Sequence, residues 1–221
     1  MKHEDLEKLR EKLPAQPGIM GRENFINSGI MILLVLVDGE YHFVFEKRGP
    51  SIRQGGEVCF PGGLFDPAQD RDFLDTALRE TKEELGIARE KIGVLGRTDT
   101  LITPQGVLVE GFVGVGDFDP GEVRVDPREV AYVFTVPVSF LEKVKPEEYQ
   151  VQVMVHPRGI NEAGDEEIFF PAKELHVPEK YDTPWKGRKH RVYVYRYGQE
   201  IIWGITAVFI RDFLHKAGSE K

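Results

Sequence analysis

The sequence has very little cysteine and no long apolar run. These two absences argue against a disulfide-stabilised protein and against a membrane-spanning one. Cys59 is the only cysteine among 221 residues, so no internal disulfide can form and a reducing compartment is expected. Its apolar neighbours favour a small buried residue over a nucleophile. The longest apolar run, Ile30 to Val37, has eight residues, too few to span a bilayer. The charged first ten residues do not resemble a signal peptide. We therefore expect a cytoplasmic protein without a membrane segment.

An excess of positive charge is also missing. Lys and Arg number 29 against 37 Asp and Glu, which gives a formal net charge of −8. Proteins that bind nucleic-acid backbones or anionic membranes usually carry a positive surface charge that attracts them to these polyanions. We therefore expect a small-molecule partner, with no nucleic acid and no membrane. The sequence does not fix the oligomeric state, and a homodimer stays open.

The length and the periodicity predict one main domain of mixed α and β structure. We assign residues 1–25 to an N-terminal helical extension and residues 26–221 to a single domain. Asp38-Gly39 is a hairpin turn signal between two apolar strands. The predicted strands are Gly29–Val37, Tyr41–Glu46, Ile92–Thr100, Val107–Val115, Val130–Val136, Tyr149–Val155, Glu167–Pro171 and Arg191–Tyr197, and the predicted helices are Glu4–Leu13, Phe73–Leu85, Pro137–Val144 and Ile205–His215. This order predicts a mixed sheet with helices on its faces.

The predicted helix Phe73–Leu85 carries a cluster of acids. With 100° per residue, Glu83 falls about 60° to one side of Glu80 and Glu84 about 40° to the other. Like charges at these spacings repel, whereas a hard divalent cation such as Mg²⁺ would bind them. A solvated acidic helix face is the commoner use of such clusters. The glycine pair Gly62-Gly63, shortly before the helix, favours a site instead, because a backbone without side chains can approach a ligand closely.

The run from Arg79 to Ile87, Arg-Glu-Thr-Lys-Glu-Glu-Leu-Gly-Ile, resembles the second half of the Nudix box. That pattern is Gly-x5-Glu-x7-Arg-Glu-U-x-Glu-Glu-x-Gly-U, with U a bulky apolar residue. Here Arg79 follows Gly63 by 16 positions where the pattern has 14. The first Glu of the pattern is absent, and Asp66, Asp70 and Asp72 crowd the same stretch.

The resemblance implies an α+β fold, a Nudix-type α/β/α sandwich with a mixed β-sheet and a catalytic loop–helix–loop. It implies a metal-dependent hydrolase of nucleoside diphosphates linked to another group, with Mg²⁺ or Mn²⁺ as cofactor. Carried over to this sequence, Glu80 and Glu84 would be metal ligands, and Glu83 a further ligand or the group that orients water. Gly62 and Gly63 would form the turn beside the substrate. Arg79 and Gly86 would be structural residues of the box.

The segment from Lys47 to Gly63 resembles the stretch before the box in coenzyme A pyrophosphatases. This implies cleavage of coenzyme A or acyl-CoA to 3′,5′-ADP and (acyl-)4′-phosphopantetheine. Arg48 and Arg53 are then candidate phosphate ligands, because a guanidinium fork suits phosphate. Glu129, in the loop before a predicted strand, is a candidate catalytic base. The alternatives are an ADP-ribose or nucleotide-sugar pyrophosphatase, and a Nudix-fold binding module without catalysis.

Overall fold

The computed structural model describes residues 2–218, which contain three sheets and four α-helices; the smallest sheet is the pair of strands Arg158–Ile160 and Glu166–Ile168. The helices are α1 (His3–Lys12), α2 (Phe73–Leu85), α3 (Val138–Lys143) and α4 (Gly204–Lys216). The strands are β1 (Ile26–Val37), β2 (Glu40–Arg48), β3 (Val58–Cys59), β4 (Gly62–Leu64), β5 (Ile92–Arg97), β6 (Leu101–Ile102), β7 (Val107–Gly116), β8 (Val130–Pro137), β9 (Glu147–Val155), β10 (Arg158–Ile160), β11 (Glu166–Ile168), β12 (Trp185–Tyr197) and β13 (Glu200–Trp203). No helix of the described chain has the length and apolar character that a membrane crossing requires.

The main sheet is mixed, as predicted. It has eight strands, with the path β3-β2-β1-β7-β5, while β4 pairs with β1, β6 with β7 and β8 with β2. The strands β1 and β7 run parallel, and the other pairs of this sheet are antiparallel. The predicted hairpin between β1 and β2 turns at Asp38 and Gly39, whose φ angles are 50° and 85°. Positive φ at both central residues matches the twist of a two-residue hairpin.

Helices cover both faces of this sheet. Residues of β1 alternate between two apolar clusters, because successive side chains of a strand point to opposite faces. Met31 and Leu33 pack with Ala77 and Leu78 of α2 on one face. On the other face Ile32 packs in a cluster that contains residues of α4 and of the second sheet, β13-β12-β9. The predicted α+β sandwich of helix, mixed sheet and helix is therefore confirmed.

The second sheet departs from the predicted boundaries. β12 begins at Trp185, six residues before the predicted Arg191, and β9 begins at Glu147. The first residues of β12 include Lys186 and Lys189, so this part of the strand lacks the apolar alternation from which strands were predicted. It is held by backbone pairing with β9, in which Lys186 lies opposite Met154 and Lys189 opposite Gln152.

Candidate active site

The acidic helix α2 has the predicted bounds, and local capping explains both ends. The Asp72 side chain accepts a hydrogen bond from the Asp75 N–H at 2.9 Å, which satisfies one of the free donors of the first turn. At the other end Gly86 has φ 71°, and its N–H donates to the Lys82 carbonyl at 2.9 Å. A Cβ at Gly86 would lie 2.9 Å from the Arg124 carbonyl, so glycine fits here for space as well as for φ.

The three acids on one edge of α2 differ in burial. Glu84 is only 4% exposed, because the edge rotates toward the packed face formed by Thr81 and Leu85. The Glu80 side chain is partly buried, and the Glu83 side chain is 52% exposed. The cluster is therefore not a solvated helix face. It runs from the sheet outward to solvent, with Glu84 at its inner end.

The glycine pair lies directly against these acids. Gly62 and Gly63 belong to β4, which pairs with β1, and the Gly62 N–H donates to Glu84 Oε2 at 2.9 Å. A Cβ built on Gly63 would lie 2.3 Å from the Glu80 carboxyl carbon, far inside van der Waals contact. A side chain at this position would displace Glu80. The glycine pair thus fixes the positions of Glu80 and Glu84, and its predicted contact with a ligand stays a prediction.

Arg79 organises the outer part of the cluster, and Asp70 anchors Arg79. The Arg79 guanidinium donates to both oxygens of Asp70, at 2.9 and 3.0 Å. It also donates to Glu80 Oε1 at 2.8 Å and to Glu83 Oε2 at 3.1 Å. Asp70 is buried and also accepts the Thr76 hydroxyl at 2.8 Å. Of the three crowded aspartates, Asp70 is therefore the acid that pairs with the box arginine.

Glu46 is a buried acid beside this cluster that the sequence did not reveal. It follows Phe43-Val44-Phe45 on β2 and lies opposite Cys59 of β3. It is 1% exposed, and its Oε1 accepts the Cys59 S–H at 3.1 Å. Burial raises the pKa of Glu46 and of its neighbour Glu84, and the proximity of the two carboxyls raises that of Glu84 further. A charged residue inside an apolar strand was the signal in the sequence that could have identified it.

The structure places Arg48 and Glu129 beside these carboxyls and Arg53 at the loop surface. Arg48 Nη1 is 3.9 Å from Glu46 Oε1, and Arg48 Nε donates to the Arg53 carbonyl at 3.2 Å. The Glu129 carbonyl accepts the Gly49 N–H at 2.7 Å, which joins its loop to the one that carries Arg48. The exposed Glu129 carboxylate is close enough to help raise the pKa of Glu46 and Glu80, although burial is the largest cause in both.

These carboxyls suit a hard divalent cation. Burial raises the pKa of Glu80 as well as of Glu46 and Glu84, so ionising these carboxyls costs desolvation energy that a bound cation would offset. Glu46 Oε2 is buried, and no hydrogen-bond donor among residues 2–218 contacts it. Oxygen donors of this kind are the ligands that Mg²⁺ and Mn²⁺ prefer. In residues 2–218, no three Asp, Glu, His or Cys side chains already surround one point, so binding would draw these carboxylates together.

We predict that the cation-free protein loses stability as the pH rises from about 5 to about 9. The pKa is about 7 for Glu46 and about 9 for Glu84, against an ordinary value of 4.5. The folded chain therefore binds more protons than the unfolded chain in this range. This contribution to the unfolding free energy is complete below pH 4.5 and is lost as the pH rises through the folded pKa values, by about 1.4 kcal/mol per pH unit for each proton.

Urea denaturation in the presence of a chelator, repeated at several pH values, measures this slope. The variant Glu84→Gln should have a shallower slope because one of the two titrating groups is gone. Glu90→Gln, at an exposed acid outside the cluster, is the matched control and should keep the slope of the parent chain. An unfolding free energy that does not change between pH 5 and 9 would contradict the burial of these two acids.

Comparison with known proteins gives the following matches. A family model described as the NUDIX domain matches residues 28–193. The uncharacterized Nudix hydrolase NudL of Photorhabdus laumondii subsp. laumondii is 30% identical over 203 residues, covering 91% of this chain and 89% of the relative. The mitochondrial coenzyme A diphosphatase NUDT8 of Homo sapiens is 36% identical over 126 residues, 56% of this chain and 53% of the relative. A crystal structure of a MutT/nudix family protein from Enterococcus faecalis has a TM-score of 0.48 at 12% identity, over 99% of this chain and 70% of that one.

Proposed function

Since the chain belongs to the Nudix hydrolase family, we propose that it hydrolyses the diphosphate of coenzyme A or acyl-CoA in the presence of a divalent cation. The products would be 3′,5′-ADP and 4′-phosphopantetheine or its acyl derivative. The observation that carries the proposal is the arrangement of Glu80 and Glu84 on α2 against the glycine pair Gly62-Gly63. It places one buried and one partly buried carboxylate directly against a backbone without side chains.

Glu80 and Glu84 would hold the cation, with Glu83 as a further ligand. When bound, Mg²⁺ or Mn²⁺ neutralises negative charge on a diphosphate and lowers the pKa of a bound water. Arg79 keeps Glu80 and Glu83 in place through hydrogen bonds of 2.8 and 3.1 Å. A carboxylate whose position is already fixed needs no reorganisation during the reaction.

Two exposed acids are candidates for the proton acceptor. Glu83 and Glu129 are both exposed, and the charge of Glu129 acts on Glu46 and Glu80. Either carboxylate could take the proton of an attacking water in a suitably placed substrate complex. We assign the catalytic base to this pair.

The two arginines of the loop before α2 would have different roles. Arg48 is partly buried and lies 3.9 Å from Glu46, so part of its charge offsets the buried acids. Arg53 is exposed at the tip of the same loop. A guanidinium at that position suits the 3′-phosphate that distinguishes coenzyme A from other dinucleotides.

The relatives support the choice of coenzyme A. NUDT8 carries the name of a coenzyme A diphosphatase, although the match covers 53% of its length. The loop from Lys47 to Gly63, which resembles the corresponding loop of coenzyme A pyrophosphatases, adjoins α2 through β3 and β4. A binding module without catalysis is disfavoured because Glu80, Glu83 and Glu84 are all present.

The test is hydrolysis of a substrate panel by the purified chain with Mg²⁺ or Mn²⁺. We expect coenzyme A and acyl-CoA to be cleaved with a higher kcat/KM than ADP-ribose or nucleotide sugars. We also expect Arg53→Ala to raise KM for coenzyme A more than KM for 3′-dephospho-coenzyme A. Hydrolysis in ¹⁸O-labelled water then identifies the attacked phosphorus from the labelled product. Faster cleavage of ADP-ribose than of coenzyme A would overturn the substrate assignment and leave the reaction class standing.

A further inference from the structure

The strand β9 forms an open edge of the second sheet. The strand order of this sheet is β13-β12-β9, and among residues 2–218 β9 pairs only with β12. Seven of its nine residues are exposed and none is buried. An edge strand presents a row of backbone N–H and C=O groups with which a further strand can pair. This edge is therefore a candidate interface.

The sequence of β9 lacks the features that usually protect an edge. Proteins discourage pairing at an edge with short strands, prolines, lysines or bulges. β9 has nine residues without proline or lysine, and the register shift in its pairing adds a residue to β12 and leaves β9 regular. Along one side it carries Tyr149, which is 53% exposed, and Val151, which is 47% exposed. Aromatic and β-branched side chains of this kind favour pairing with another strand.

The strand at one end of the main sheet, β5, is a useful comparison. It has six residues, two of which are Gly93 and Gly96, and its pairing with β7 shifts register between Val94 and Gly96. Glycines and bulges weaken the pairing of an edge with a further strand. By these criteria β9 is the better interface of the two, although Val94 is also exposed.

The charges of the second sheet indicate a second copy of this chain in antiparallel orientation. The exposed Lys186 of β12 lies opposite Met154, and Met154 is on the same face of β9 as the exposed Glu148. Antiparallel pairing of two copies about Val151, the central residue of β9, would put Glu148 opposite Met154 of the second copy and beside its Lys186. Parallel pairing in register would put two Glu148 side chains against each other. Opposite charges stabilise cross-strand neighbours, and like charges destabilise them.

We propose that β9 pairs antiparallel with β9 of a second copy, centred on Val151, so that two three-stranded sheets become one sheet of six strands. The two Val151 side chains meet on the symmetry axis, and Tyr149 of each copy packs against Val153 of the other. Such an interface uses the same surface on both subunits and leaves neither β9 edge open. None of its residues belongs to the proposed active site.

Analytical ultracentrifugation of the purified chain tests the association. The chain has a mass of 25.2 kDa, and we expect a species of twice this mass at micromolar concentration. Val151→Lys places two positive charges face to face on the axis and should raise the dissociation constant of the dimer by about tenfold or more. The control is Val94→Lys, the same substitution on the other edge strand, and it should change the dissociation constant by less than about twofold.

Reversal of the two charges tests the antiparallel orientation. Glu148→Lys alone and Lys186→Glu alone should each raise the dissociation constant by about fivefold, because each change affects both symmetry-related contacts. The double variant should return it to within about threefold of the parent value, since Arg191 of the same chain still acts on position 148. Glu147 is unsuitable for this exchange because it already pairs with Arg196 of its own chain.

Three results would overturn the proposal. The first is a parent chain that stays monomeric up to millimolar concentration, which would leave the edge to a strand of some other protein. The second is a dimer that persists in Val151→Lys when circular dichroism shows the variant to be folded. The third is a double charge variant that associates no better than either single variant. None of these measurements uses a substrate, so they are independent of whether the chain cleaves coenzyme A.

Discussion

Replacing Glu84 by Gln is expected to lower kcat by about 10²-fold or more at saturating Mg²⁺. The change keeps the size of the side chain and an oxygen that can accept the Gly62 N–H, now at 2.9 Å, but it removes the charge. Because Glu84 is the most buried of the three box acids, water cannot readily replace it as a ligand. Losing a positioned metal or catalytic group has effects of this size. Steady-state kinetics on coenzyme A, with Mg²⁺ varied, measures it.

The same variant should fold, and this separates catalysis from stability. Burial disfavours the charged form of Glu84, so Glu84→Gln without a cation should be at least as stable as the parent chain at pH 8. Glu90→Gln removes an exposed acid of the same type and should leave kcat within about twofold of the parent. Glu83→Gln is expected to lower kcat by about 10²-fold as well. Near-normal turnover in both Glu83→Gln and Glu84→Gln would place the active site elsewhere.

The bounds of α2, the hairpin between β1 and β2 and the Arg79–Glu83 pair could be predicted because each depends on residues close together in the sequence. The bounds of α2 follow from a capping side chain at Asp72 and a left-handed residue at Gly86, both within a few residues of the helix. The hairpin between β1 and β2 follows from Asp38-Gly39. The pairing of Arg79 with Glu83 follows from their spacing of four residues. Each of these predictions needed only neighbouring residues.

Contacts between distant segments explain what the sequence did not reveal. Glu46 joins the site because β2 pairs with β3 in a register that puts it opposite Cys59, and because Val44 and Glu46 face α2. The side chain direction depends on a register that no local pattern fixes. The choice among the three aspartates likewise depended on how the segment before α2 folds back. The structure shows that Asp70 reaches Arg79 while Asp72 caps the helix.

The structure places the two arginines of the loop before α2 in different environments. The sequence treated Arg48 and Arg53 as equivalent phosphate ligands. In the structure Arg48 lies next to the buried Glu46, whereas the Arg53 side chain is exposed. The Arg53 carbonyl accepts a hydrogen bond from Arg48. Burial separates the two residues physically, because a partly buried arginine is needed to offset neighbouring carboxylates. The sequence alone could not separate the two arginines, because their burial depends on how the loop folds.

Replacing Asp70 by Asn is expected to lower the unfolding free energy by about 3 kcal/mol and to lower kcat as well. Asp70 is buried and forms a bidentate ion pair with Arg79, and it also accepts a hydrogen bond from the Thr76 hydroxyl. Breaking a buried ion pair by removing one charge costs about 3–5 kcal/mol. The lower end applies here, because the Arg79 side chain is 19% exposed and keeps Glu80 as a partner. Freed from Asp70, Arg79 would hold Glu80 and Glu83 less well. Urea denaturation and steady-state kinetics measure the two effects.

The pH dependence shows whether the ion pair causes the loss. Hydrogen bonds from Arg79 lower the pKa of Asp70 to about 2, from an ordinary value of 3.8. Its stabilising contribution is therefore complete above about pH 4 and is lost as the pH falls through 2. The difference in unfolding free energy between the parent chain and Asp70→Asn should be constant at neutral pH and narrow below pH 4. Asp117→Asn, at an exposed aspartate, should differ from the parent by less than about 0.5 kcal/mol. A difference for Asp70→Asn that persists unchanged at pH 2.5 would assign the loss to altered packing rather than to the charge pair with Arg79.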